Sequence, residues 1–371
     1  LAAGVIVQPL NLDIFLKSLL KILSSLLVGG VCTWLVVKNM EWSLVWEHLA
    51  NISAGPVLLY LLTLVPTTFF RASRWAYLLR PIGVSLPLKR LLPISAVGFL
   101  AILALPFRLG EFVRPYYVVR EGQCRMSAAL GTVAVERVVD GLIVSVILFT
   151  TYLTGRAEFS KPLAVLGGAP LYYFAWLSLG LFVSASVFLA LALQWPSVTI
   201  RWSLRLSLLA WLAPNLAHKI GDKLGALIQG FRVLREPKDL VPFLLESFAY
   251  WGFNGLGMWL LARGMGIPVS VPAAFAMMAF TGVVISLPNS PGLVGQFQVG
   301  IVAVLAAYVD SNIVSAQGGA YAIVVHALQV VWYLALGTLS LRFAGRGRSL
   351  RQMVTESAVA ADAVETRLQT S

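Results

Sequence analysis

The chain has 371 residues, 58% of them hydrophobic and 12% charged, with a formal net charge of +12 and a mean hydropathy of +0.83. Soluble domains carry about twice that charged share, so the composition excludes an ordinary soluble protein and marks a polytopic membrane protein of all-α class. The positive charge is not a nucleic-acid footprint. The basic residues fall in short stretches between apolar runs, as expected for loops on the cytoplasmic side and for contact with anionic head groups.

The first apolar stretch, Leu16–Val37, is too long for the hydrophobic part of a cleavable leader and lacks a small-x-small end, so it reads as a retained span. Ala54–Phe70 is the next span, followed by a loop with Arg71, Arg74, Arg80, Lys89 and Arg90. Arg71 and Arg74, just before Trp75, match an interfacial anchor in contact with lipid head groups. Leu91–Leu105 is about 15 residues long, roughly 22 Å as a helix, and is too short to cross a hydrocarbon core of about 30 Å untilted. It ends in Pro106-Phe107-Arg108-Leu109-Gly110-Glu111. Ser127–Leu153 and Pro170–Leu193 are full-length spans. In Val198–Leu234, apolar residues recur every three to four positions with basic residues between them, the pattern of a basic amphipathic helix on the cytoplasmic interface or of a connecting helix packed on the bundle. Leu240–Ala262 spans again. Val271–Leu287 breaks at Pro288-Asn289-Ser290-Pro291-Gly292, and a second apolar run, Leu293–Val309, follows it. Gly318–Leu341 is the last span, and the polar segment 344–371 reads as a disordered cytoplasmic tail.

Loop charge decides between crossing and dipping for the two broken segments. If both dip into the bilayer and return from opposite sides, all three basic segments and both termini face the cytoplasm. The expected architecture is six full transmembrane helices plus two re-entrant helical hairpins. Leu105-Pro106 followed by Gly110 echoes Leu287-Pro288 followed by Gly292, with the same Pro-to-Gly distance. That echo fits an inverted repeat whose broken helices meet near the midplane, although Leu-Pro followed by Gly also recurs by chance in Gly- and Pro-rich membrane proteins. The transmembrane domain is then 1–343, with halves at about 50–155 and 239–343 joined through the 198–234 helix.

One group of charges stands out. Glu136, Arg137 and Asp140 lie inside the 127–153 span, with Glu136 about 14 Å along the helix, near mid-membrane. A charge there costs on the order of 2.5–3.5 kcal/mol on insertion scales, so three together need a polar cavity or one another. Glu136 and Asp140 share a helix face at i,i+4, and Arg137 reaches Asp140 at i,i+3.

Pro106-x-Arg108-x-Gly110-Glu111-x-x-Arg114, then Ala134-x-Glu136-Arg137-x-x-Asp140, then Leu287-Pro288-x-x-Pro291-Gly292-x-x-Gly295 together resemble the lysylphosphatidylglycerol-synthase transmembrane family, also called flippase-like membrane proteins, over about residues 16 to 343. The resemblance implies a stand-alone form of that membrane region in a bacterial inner or archaeal membrane. It also implies a role in moving or presenting lipids, which for some relatives are associated with hopanoids. It leads one to expect an acidic residue near the second Gly-x-Phe position. This chain has Gln296 there, which removes the basis for a proton-coupled role at that place.

The residues expected to meet substrate are Arg108, Glu111, Arg114 and Arg137 from the first half and Pro288, Asn289, Gly292 and Gln296 from the second. Forked guanidinium donors at a hairpin tip suit a phosphate or phosphodiester. The alternative is that Arg108 pairs with Glu111 or Glu136 to hold the hairpin, and that Arg114 snorkels at the interface. Glu136, Asp140 and His326 form the expected proton or ion network; the alternatives are a closed Glu-Arg-Asp cluster and a His bonded to a backbone carbonyl. No catalytic residue, metal or cofactor is expected: the three histidines (His48, His218, His326) and two distant cysteines (Cys32, Cys124) show no zinc spacing, and no Walker-type loop or Gly-x-Ser-x-Gly elbow occurs. The leading functional expectation is transport of an anionic, polyprenyl-linked or hopanoid-related lipid between leaflets. The alternatives are an intramembrane lipid-modifying enzyme and a scaffold for a lipid or glycan biosynthetic enzyme. Partners are membrane lipids and, for the scaffold, that enzyme.

Overall fold

The structure, a computed structural model, describes residues 12–38, 40–105, 110–121, 124–206, 228, 230–286 and 290–344. Among these, every regular element is helical. The principal helices are α1 (Leu12–Val37), α2 (Trp42–Ala50), α3 (Ala54–Leu79), α4 (Leu88–Ala104), α5 (Val113–Arg120) and α6 (Met126–Thr154). They continue with α7 (Leu171–Gln194), α8 (Pro196–Leu206), α9 (Pro237–Gly264), α10 (Val271–Ser286), α11 (Gln296–Tyr308) and α12 (Gly319–Ala344). The tail and residues 207–227 of the expected amphipathic helix lie outside the described residues.

Among the described residues, four segments are long and apolar enough to cross a membrane: Ala54–Ile82, Leu171–Gln194, Pro291–Tyr308 and Ser311–Phe343. This differs from the six expected spans. Helices α6 and α9 have the length, but α6 carries Glu136, Arg137 and Asp140, and α9 carries Asp239, Glu246 and Asn254. In α1, Leu26–Val37 is a shorter apolar stretch among the described residues. Apolar composition sorts the helices by position. Helix α7 turns large apolar side chains outward, Leu177 and Leu181 among them, as a lipid-facing helix does, whereas Ala273 to Phe280 of α10 are buried almost all round.

Helices α3 and α9 pack antiparallel along their whole length. Pro56 meets Gly264 at one end, Thr63 meets Gly257 in the middle, and Arg80 pairs with Asp239 at 3.3 Å at the other end. Helix α4 lies on α12 and α6 lies on α10. The pairing is reciprocal between the halves: the first helices meet each other, and the second helix of each half meets the last helix of the other. Lipid offers no hydrophobic drive for helix association, so close approach through small residues does the work. Gly337 faces Leu100 and Gly300 faces Thr281 at separations that leave no room for a Cβ.

Both broken segments double back. After Leu105 the chain returns so that Gly110 lies on the backbone of Ala101 and Ile102, and Arg114 crosses Gly98. In the second hairpin Gly300 of α11 lies against Thr281 of α10, and the turn between them holds Gly295 at φ +82, where an L side chain is strained. Pro106, Arg108, Pro288 and Asn289, at the two corners, lie outside the described residues.

A Cβ at residue 110 would stand 2.1 Å from the Ile102 nitrogen, and backbone cannot yield as a side chain can. Gly110→Ala is therefore expected to lower the thermal unfolding temperature in detergent, by an overpacking penalty of about 1–3 kcal/mol or more. Gly180→Ala, where nothing lies within 4 Å, serves as the neutral control.

Candidate functional site

Glu136 and Asp140 share one face of α6, as their spacing requires, and that face is turned into the protein. Arg74 of α3 reaches them from across the bundle. Its Nη1 and Nη2 donate to Asp140 Oδ1 and Oδ2 at 2.6 and 2.8 Å, the forked geometry a guanidinium offers a carboxylate. The same Nη2 lies 3.0 Å from Glu136 Oε1, and Nη1 donates to Ser247 Oγ of α9 at 3.1 Å. Arg114 of α5 donates to Glu136 Oε2 at 3.0 Å and lies over the Trp75 ring at 4.2 Å. Arg137 closes the cluster, with Nη2 2.7 Å from Glu136 Oε1 and 3.3 Å from Asp140 Oδ2, and Nη1 4.0 Å from Glu111. Trp251 of α9 donates its indole N–H to Asp140 at 3.0 Å. Four helices, α3, α5, α6 and α9, thus converge on two carboxylates. The Glu136 and Arg74 side chains are 0% exposed; Arg137 keeps 27% of its surface.

This placement corrects the expectation for Arg74. It is not an interfacial lipid anchor, because its guanidinium is the buried counter-charge that the α6 carboxylates demand. Arg71 is not one either. One turn before Arg74, it points into a cleft between the two halves. His326 stands apart from the ion network. Its Nε2 lies 2.8 Å from the Gly292 carbonyl and its Nδ1 2.8 Å from Gln298 Nε2, and its ring stacks on Phe297. A carbonyl only accepts, so Nε2 carries the hydrogen and Nδ1 accepts from the Gln298 amide. Gln298 Oε1 in turn accepts from the Gly295 N–H at 2.9 Å, and Gln296 Oε1 accepts from the Ser290 N–H at 3.1 Å. Gly292, Gln296 and His326 therefore brace the second turn.

The cleft is open at its mouth, has a cavity volume of about 100 Å³, and takes wall from both hairpins. Arg71 is its cation. The guanidinium carbon lies 3.6 Å from the Phe99 ring centroid, Nη1 donates to Tyr333 Oη at 3.1 Å, and Nε has no partner. Among the described residues no carboxylate lies within ion-pair distance of it. Asn254, Gln329, Tyr250 and Thr281 add neutral polar groups, and the Thr281 hydroxyl is buried without a partner. Leu103, Met258, Met278 and Ile285 supply apolar wall. Of the residues expected to meet substrate, Arg114, Arg137 and Glu111 belong to the ion network or its edge, Gly292 and Gln296 to the turn, and none of these five lines the cleft. Sequence reasoning missed Tyr250, Asn254 and Tyr333 as cleft residues. The one signal was polar side chains recurring on apolar helices, such as Gln329 three residues after His326.

Residues 22–337 match the family model described as lysylphosphatidylglycerol synthase TM region. The chain belongs to this family. Comparison with curated proteins and with solved structures finds no match. The matched region of this lysylphosphatidylglycerol synthase TM family member holds the whole ion network and the whole cleft. Membership makes it a membrane protein with a lipid-related role.

Removing one partner of a buried pair strands the other charge, at about 3–5 kcal/mol. Arg74→Ala, which leaves Asp140 without its forked partner, is expected to destabilise the detergent-solubilised protein by that order. Arg137→Ala should cost less, because Glu136 keeps Arg74 and Arg114. Thermal unfolding of the two variants side by side reads the difference.

Proposed function

We propose that this protein moves a lipid with an anionic head group between leaflets, with the head group seated at Arg71. The observation that carries this reading is a guanidinium facing a cleft between two hairpins with no carboxylate within ion-pair distance among the described residues. Among the described residues lining the cleft, Arg71 alone carries a charge, while Arg74, Arg114 and Arg137 beside it are taken up by Glu111, Glu136 and Asp140. An anionic phosphodiester on a diacyl, polyprenyl or hopanoid-type tail would supply the balancing charge and accept from the forked donors. The neutral hydroxyl and amide groups would meet the remaining polar atoms of the head, and the apolar wall would let the tail stay in the bilayer.

In this reading six helices span the membrane, two hairpins re-enter it, and the halves are inverted repeats. The reciprocal pairing of α4 with α12 and of α6 with α10, around an antiparallel α3–α9 pair, supports that relation. A two-fold axis in the membrane plane makes equivalent helices antiparallel and exchanges those two contacts. The basic segments and both termini then face the cytoplasm of a bacterial-type inner membrane. The enzyme and scaffold readings draw less support. The oxygens of Glu136 and Asp140 are all engaged by guanidinium or indole donors, which leaves neither aimed at a substrate as a base.

Redistribution of a fluorescent anionic phospholipid in proteoliposomes tests the proposal. Hydrogen bonds to charged groups are worth about 1.5–3 kcal/mol, so Arg71→Gln is expected to slow redistribution by about tenfold or more and Arg71→Lys by less. Equal rates for wild type, Arg71→Gln and protein-free vesicles would refute it.

A further inference from the structure

The carboxylates of the helical core differ in their company. Glu136 and Asp140 face guanidinium groups on every side. Glu246 of α9 does not: its partners are hydroxyls of α3, with the Ser73 hydroxyl donating to Oε2 and the Tyr77 hydroxyl donating to Oε1 at 3.2 Å. Among the described residues no cation lies within ion-pair distance of it. The charged groups facing this seam are Arg80, which lies over the Tyr77 ring at 4.7 Å and pairs with Asp239 at 3.3 Å, and Arg74, which is occupied by Glu136 and Asp140. Arg235, in the turn that packs on both helices, is engaged by the Leu193 carbonyl.

We propose that Glu246 is a reversible proton-binding carboxylate, and that it couples proton movement to lipid movement through the α3–α9 seam. The hydroxyl partners make both protonation states satisfiable. When Glu246 is ionised, Ser73 and Tyr77 donate to it. When a proton from water binds Oε2, the new O–H donates to Ser73 Oγ, and the Ser73 hydrogen turns to the Phe70 carbonyl, 3.5 Å away. Tyr77 continues to donate to Oε1. No donor or acceptor at this half-buried carboxylate is stranded by the change. A proton on Glu136 would instead stand against the N–H groups of Arg74, Arg114 and Arg137.

The seam also leads to the cleft. Glu246 adjoins Ser247, which accepts from Arg74, and Tyr250 lies one turn further along α9 on the cleft wall. On α3 the sequence runs from Arg71 in the cleft through Ser73 and Arg74 to Tyr77. A change in the Ser73–Glu246 contact therefore acts on the two helices that hold the head-group cation and its neighbours. This coupling rests on the lipid-movement reading above, whereas the proton site itself does not.

Two measurements separate them. Infrared difference titration of the purified wild-type protein should show a protonated-carboxyl band that Glu246→Gln lacks and that Ser73→Ala shifts. Persistence of the full band in Glu246→Gln overturns the proton site. In proteoliposomes with an imposed pH gradient, coupling of one proton per lipid shifts the steady-state leaflet ratio about tenfold per pH unit. Wild type should follow the gradient and Glu246→Gln should not. A gradient response that survives in Glu246→Gln overturns the coupling. Loss of the band in Glu246→Gln, with wild type moving no lipid under any gradient, upholds the proton site and overturns the transport reading.

Discussion

Two carboxylates in the middle of an apolar helix set the terms for the rest of this molecule. Glu136 and Asp140 cannot face hydrocarbon, and they cannot be left bare inside the bundle. The chain answers with Arg74 from α3, Arg114 from α5 and Arg137 from α6, together with the Trp251 indole from α9. Such a cluster adds little net stability over a well-packed apolar core, because its desolvation cost offsets its attraction. Its consequence is positional: each carboxylate oxygen of Glu136 and Asp140 meets a donor only where α3, α5 and α9 are placed as they are. It fixes the register of α3 against α6 and pins the return arm of the first hairpin.

The cleft follows from that register. With Arg74 committed to the carboxylates, Arg71, one turn earlier on the same face of α3, meets Phe99, Tyr250 and Tyr333. The aromatic faces accommodate the guanidinium without neutralising it. The second hairpin closes the opposite wall, braced by the Gln298–His326–Gly292 chain of hydrogen bonds. Helix α3 thus divides its polar side chains between two settings. Arg74 neutralises the α6 carboxylates, Arg71 faces the cleft with no carboxylate partner among the described residues, and Ser73 and Tyr77 face the half-buried Glu246.

Much of this was legible in the sequence, though unevenly. The i,i+4 spacing of Glu136 and Asp140 and their depth announced a buried polar cluster, because helix periodicity is local and the penalty for burying charge is general. The Pro-Gly corners announced chain reversals for the same kind of reason. Arg71 and Arg74 were misread because their neighbourhood, a run of arginines beside Trp75, looks the same whether a guanidinium snorkels to an interface or crosses the bundle. Glu246 carried no local mark at all. Its meaning lies in which hydroxyls stand opposite, and those come from a helix more than 160 residues away in the chain.

Composition and periodicity by themselves determined that this is a helical membrane protein, that two of its apolar segments break, and that a charged cluster sits at depth in α6. These depend on backbone hydrogen bonding in lipid and on helix geometry, which act within a few turns. Tertiary structure alone decided which arginine neutralises which carboxylate, which guanidinium is left facing a cleft, and which acid keeps only hydroxyl partners. Those outcomes depend on how α3, α4, α6, α9 and α12 cross, and a side chain's charge is balanced by whatever a neighbouring helix presents, not by its neighbours along the chain.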